Sequence, residues 1–263
     1  MRPERFVRGV AATLVMLAGF ATVATARSLA SIETRGVISL CAHPNSLPFA
    51  SRSGNPPGFQ VEIARALAKE LGVNLDVAWI VSPFQRSRAE CDIVLDMIVD
   101  PEVQAESRVR VSKPYHRSGV ALALPKNDDK VRAFADLDQG KRIGVQMGSL
   151  AHMFLEQRGV KTTPFGFEDE MIEALADGTL DGAAVSPATI GYFNLTQPQR
   201  AVRLLHAYEQ EPHLSWNVAV GMRGSDEPLR AKMDAAVDRL LADGTIRAIY
   251  ARYGIEHRAP AAR

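Results

Sequence analysis

The stretch GFQVEIARALAKELGVNLDVAW, residues 58–79, decides the fold class of this 263-residue chain. Val61, Ile63, Ala64, Leu67, Ala68 and Leu71 recur at helical spacing until Gly72 stops the run, and Leu75–Ile80 then reads as a strand. Upstream, Val37–Cys41 is a second apolar strand, and downstream CDIVL, residues 91–95, is a third, apolar enough to be buried on both faces. Strands that alternate with helices imply a parallel sheet, with ligand contacts on loops at the carboxyl ends of the strands. CAHPNSLPF, residues 41–49, is such a loop.

The alternation starts again after Val120–Leu124 and the polar break PKNDDK. Arg142–Val145 reads as a strand, Met147-Gly148-Ser149 as a turn, Leu150–Gln157 as a helix, Met171–Ala176 as another helix and Gly182–Val185 as a strand. From Trp216 the pattern returns to a strand, WNVAVGM, and Leu229, Met233, Val237, Leu240 and Leu241 line one helix face. A last helix lies within GTIRAIYARYG, and the tail from Glu256 to Arg263 is expected to fray. The class is α/β, with no solenoid repeat and no low-complexity segment.

At the amino end Arg2, Arg5 and Arg8 precede an apolar run, Val10–Val23, that closes on Ala24-Thr25-Ala26. This is the pattern of an export leader over residues 1–26. The run is shorter than the ~20 apolar residues a spanning helix needs. The whole chain carries 31 basic and 30 acidic side chains, and the part after residue 26 carries 28 and 29. So balanced a charge argues against nucleic acid, which demands a basic face. Cys41 and Cys91 are the only cysteines. In an oxidising compartment an even pair reads first as a disulfide, and two buried thiols are the competing reading.

Four segments together resemble the amino-acid-type periplasmic solute-binding proteins, family 3: residues 58–79; CDIVLDMI with VSKPYHRSGVALAL; GKRIGVQMGS; and WNVAVGM with the closing DGTIRAIYARYG. The resemblance implies the type II periplasmic-binding-protein fold, two α/β lobes joined by two hinge strands around a ligand cleft. Lobe one would hold residues 27–121 and 216–263 and lobe two 125–212, with hinges near 122–125 and 213–215. It also implies a cleft wall of Asn45, Leu47, Phe49, Phe59, Met97 and Asp100 from lobe one. Lobe two would add Gln146, Met147, Gly148, Ser149 and Ser186. For Phe49 and Phe59 the plainer reading is core aromatics under a loop. Gly148-Ser149 precedes a helix, where free N–H groups can receive an anion, as many helix starts could.

Amino-acid members grip the ligand carboxylate with an arginine, because a bidentate guanidinium repays part of the desolvation. Counting back from VSKPY, that position falls at Ala105, with Arg108 one turn on. The acid expected to meet the ligand ammonium falls at Ser186. With both anchors replaced, a free α-amino acid is a poor fit.

The departures carry a finer resemblance. The cysteines of CAHPNSLPF and ECDIVLDMI and the SKPYHRSG hinge, with His116 where a second tyrosine is usual after Tyr115, resemble the XoxJ/MxaJ branch. That branch is encoded with pyrroloquinoline-quinone (PQQ) methanol dehydrogenases, including lanthanide-dependent ones. It implies a monomeric periplasmic accessory with no cofactor, whose partners are the dehydrogenase and its cytochrome c. The alternatives are an ABC-importer capture subunit for a non-amino-acid solute and, more distantly, a cleft enzyme of dehydratase type with Asp100 as its acid. The six histidines show no paired-ligand spacing and there is no G-x-S-x-G, so no metal and no catalytic triad is assigned.

Overall fold

The computed structural model describes residues 28–82, 85, 89, 91–107 and 109–262. The expected leader and Arg108 lie outside the described residues.

Lobe one is built on a sheet of strand order β4-β1-β5-β13-β6, with β7 also paired to β13. Its strands are β1 (Val37–Ala42), β4 (Asn74–Trp79), β5 (Ile93–Ile98), β6 (Val109–Val111), β7 (His116–Gly119) and β13 (Ser215–Arg223). β1 runs parallel to β4 and to β5, as the β-α-β reading requires, and β13 returns antiparallel. The helices of this lobe are α1 (Leu29–Arg35), α2 (Phe59–Leu71), α3 (Pro101–Ser107), α7 (Glu227–Ala242) and α8 (Thr245–Arg252). α2 buries Ile63, Leu67 and Leu71 against the sheet. Each such aliphatic side chain contributes roughly 1.5–3 kcal/mol. The helix starts at Gly58, φ 100°, where a Cβ would lie 2.4 Å from the Phe49 carbonyl oxygen, so only glycine fits. A two-stranded hairpin, β2 (Asn45–Ser46) and β3 (Ala50–Ser51), shapes the loop after β1.

Lobe two is a sheet of order β10-β9-β11-β8-β12. Its strands are β8 (Ala121–Leu124), β9 (Ile143–Gln146), β10 (Thr162–Phe165), β11 (Gly182–Val185) and β12 (Arg203–Leu205). Three helices accompany it, α4 (Leu150–Gln157), α5 (Glu168–Ala176) and α6 (Pro187–Thr196). Each lobe has its own apolar core, and Trp216 packs against both. α6 belongs to both as well: Ile190 and Phe193 face the lobe-two core, while Ala188 and Tyr192 face that of lobe one.

The chain crosses between the sheets at Val120 and returns at Leu214–Ser215, and Val120 N–H donates to the Leu214 carbonyl at 2.9 Å. Most of the expected first hinge, 122–125, is taken by β8, whose four residues are all buried in the second sheet. The tail after α8 does not fray. It runs as an extended segment hydrogen-bonded along β7 and β13, because its backbone groups find partners on that sheet edge.

Candidate interlobe cleft

The loop after β1 hangs from a rigid post. Cys41 and Cys91 form a disulfide with a Cα separation of 5.4 Å. Beside it the fully buried Asp92 side chain takes Arg35 through both carboxylate oxygens, at 3.1 and 3.2 Å, and the Ser39 N–H at 2.8 Å. From this post the loop folds back on the start of α2, where Phe59 and Gln60 donate their N–H groups to the Pro48 and Phe49 carbonyls. Asn45, Leu47 and Phe49 thereby line the space between the lobes. Phe59 does not. It is buried in lobe one, with its ring 5.2 Å from Phe49 and 5.0 Å from Tyr250.

β5 supplies the floor. Its pairing with β13 slips between Ala219 and Gly221, and opposite the slip Asp96 adopts φ 55°, a left-handed conformation aspartate tolerates. The kink turns the Asp96 carboxylate toward Gln60 Nε2 (2.7 Å) and the Tyr115 hydroxyl (2.7 Å), and the Asp96 N–H donates to that hydroxyl oxygen at 2.8 Å. Burial pushes the Asp96 carboxyl above its ordinary value, and these hydrogen bonds pull against the rise. Met97 and Asp100 follow on the same wall, and the Asp100 carboxylate accepts from Glu102 N–H at 2.9 Å. His116 lies behind the wall, its ring tilted by 31° against that of Tyr250 with centroids 4.6 Å apart. Burial, with His257 beside it, lowers its pKa to about 3, so it packs as a neutral ring.

On the lobe-two side Gln146 lines the cleft, whereas Met147, Gly148, Ser149 and Ser186 do not. Ser149 and Ser186 are helix N-caps, accepting from His152 and Ala188 N–H. The acid missing at 186 comes from another element. Glu168, in the first turn of α5, accepts from Ser186 N–H at 3.0 Å and from the Thr189 hydroxyl at 2.5 Å. Burial raises its pKa while those two donors oppose the rise. Placing the helix start at Met171 hides this residue; the acidic run Glu168-Asp169-Glu170, typical of a first turn, is the signal that exposes it. Asp96 had its own signal, an acid inside the apolar run IVLDMIV.

The lobes enclose a cleft of about 1920 Å³, against roughly 300–1,000 Å³ for drug-sized ligand sites. Its lips are apolar. Val81 and Ile98 on lobe one and Leu150 and Phe167 on lobe two all line it, and each is between 40% and 60% exposed. Ala105 is exposed on α3 and takes no part; among the described residues the cleft guanidiniums are Arg117, 3.3 Å from Ser215 Oγ, and Arg223. Among the described residues no three His, Cys, Asp or Glu side chains are grouped to hold a metal, and no helix is long and apolar enough to cross a membrane.

This two-lobe, hinged arrangement agrees with a family match over residues 38–256, to the bacterial extracellular solute-binding proteins, family 3. The chain belongs to that family. It is 25% identical over 234 residues to the "Probable amino-acid-binding protein YxeM" of Bacillus subtilis (strain 168), covering 85% of this chain and 86% of the relative. Among solved structures it is similar to an ancestral cationic amino acid solute-binding protein, AncCDT-1, with TM-score 0.73 and 24% identity over 86% of this chain and 99% of that one. It is also similar to the periplasmic binding protein XoxJ from Methylobacterium extorquens AM1, with TM-score 0.66 and 21% identity over 84% and 99%. At these identities the structural likenesses carry the fold and nothing more.

Proposed function

We propose that this family 3 protein is a non-catalytic periplasmic accessory that receives a polypeptide segment of a PQQ methanol dehydrogenase and assists its activation or maturation. The observation that carries this reading is the size of the cleft, about 1920 Å³, with apolar side chains on both lips. A free amino acid would leave most of that volume to water, whereas an extended segment of several residues covers Ile98, Leu150 and Phe167 together. The CAHPNSLPF loop and its cysteine partner support the same branch. The test is reconstitution: the dehydrogenase purified from cells lacking this protein is assayed with and without it, and co-purification is measured. A rise in activity with a stable complex is expected. No complex, together with tight binding of a small solute, overturns the proposal.

One observation favours a second reading, an importer capture subunit for a small amine-bearing solute that is not an α-amino acid. Glu168 sits beside Ser186, where an acid can meet a ligand cation, and no guanidinium stands at 105 to grip a carboxylate. A thermal-shift screen of amines lacking a carboxylate separates the two readings, since only this one expects a hit.

A further inference from the structure

We infer that the carboxyl-terminal segment Gly254–Ala262 is a third tether between the lobes, a strap across the hinge that holds the cleft at the angle seen here. Strand order places it. The cleft floor comes from the ends of β1 and β5, and β13 with β7 paired to it carries the wall on to the hinge, where Arg117, Asn217 and Ala261 also line the cleft. The strap adds outside β7: Arg117 N–H donates to the Arg258 carbonyl at 3.0 Å and Arg258 N–H to His116 Nδ1 at 3.2 Å. His257 Nε2 meets the Tyr115 carbonyl at 2.8 Å, and the Asn217 amide pairs with both backbone groups of Ala261 at 2.9 and 3.0 Å. All of these partners lie on or next to lobe-one strands.

The same short segment also grips lobe two. Arg258 pairs with Glu209, and Glu256 lies 3.5 Å from His206; both partners follow β12. At the root of the strap Gly254, φ 70°, abuts Gly191 of α6 so closely that a Cβ built on Gly191 would lie 2.3 Å from the Gly254 carbonyl oxygen. Two peptide crossings at Val120 and Leu214 would by themselves make a compliant hinge, since a few φ/ψ changes absorb a lobe rotation. A rotation that moves β12 away from β7 must also part Arg258 from Glu209 and Glu256 from His206. The strap therefore resists it from the hinge end of the cleft, which Ala261 also lines.

The test needs no ligand, so its failure is distinct from failure of the accessory reading. Spin labels at the exposed Arg65→Cys and Gln157→Cys positions report lobe separation by double electron–electron resonance. The probes are the full-length protein, a chain ending at Ile255, and Arg258→Gln, which keeps the strap backbone. Loss of the strap is expected to change the ratio of lobe-separation populations about fivefold, the scale set by breaking a few contacts of surface strength. Arg258→Gln is expected to move it part of the way in the same direction, and decides the matter if the shortened chain does not fold. An unchanged distribution in folded Arg258→Gln, and in the shortened chain where it folds, overturns the inference.

Discussion

Glu168 and Ser186 lie on different helices of lobe two, yet the carboxylate of the first accepts the backbone N–H of the second at 3.0 Å. An acid is therefore present where the sequence shows a serine, delivered by a neighbouring helix start. The consequence is a pH dependence with a definite sign. The folded carboxyl titrates above its ordinary value of 4.5, so the folded protein keeps a proton that the unfolded chain has already released. Its stabilising contribution is complete below the unfolded value and is lost as pH rises through the raised folded one. Urea unfolding of wild type and Glu168→Gln at about pH 4 and about pH 7 checks this. Wild type should lose ground to the variant at the higher pH, and a constant difference contradicts the assignment.

The Cys41–Cys91 bridge spans 50 residues of sequence. Restricting a loop of that size in the unfolded chain is worth about 2–4 kcal/mol. Cys41→Ser, or wild type under strong reductant, should therefore melt earlier by calorimetry; identical melting profiles would show that the bridge contributes nothing.

Tyr115 serves Asp96 twice, as donor to its carboxylate and as acceptor for its N–H. Tyr115→Phe leaves that part-buried N–H without its acceptor and the carboxylate without a donor, and should cost about 1–3 kcal/mol in chemical denaturation. A loss under about 0.5 kcal/mol, the scale of an ordinary surface change, would mean that the kink of β5 stands without the hydroxyl.

Gly191 has no room for a methyl group against the Gly254 backbone. Gly191→Ala should cost about 1–3 kcal/mol as overpacking. Gly140→Ala, whose nearest neighbour at 3.2 Å is the movable Asp138 carboxylate, serves as the control with little effect expected. Equal stability of the two variants would contradict the close contact.

The segments legible in the sequence are those whose burial is one-sided or whose ends are punctuated. α2 carries an apolar stripe and stops at Gly72, and the bounds Leu150–Gln157 and Gly182–Val185 match the structure. α6 was not legible because Ala188 and Tyr192 face one core and Ile190 and Phe193 the other, so no amphipathic period survives. The tail escaped for a different reason: its partners are single polar groups scattered over other elements, among them the Arg117 N–H, the Tyr115 carbonyl and the Asn217, Glu209 and His206 side chains, so no apolar period marks it. In the site, the loop bearing Asn45, Leu47 and Phe49 was legible from its place after a strand. For Phe59 the sequence leaves cleft wall and core both open, because a helix-start aromatic can turn either way, and here it turns inward to meet Tyr250.

The double allegiance of α6 bears on whether either half of the molecule can live alone. Excising residues 121–214 would bring Ala188 and Tyr192 into water, and the remainder would lose the wall that shields Tyr253, 6.1 Å from Tyr192. Dissection at the two crossings should thus yield sticky fragments rather than autonomous modules, and any engineered chimera must inherit the helix together with the half that it leans on.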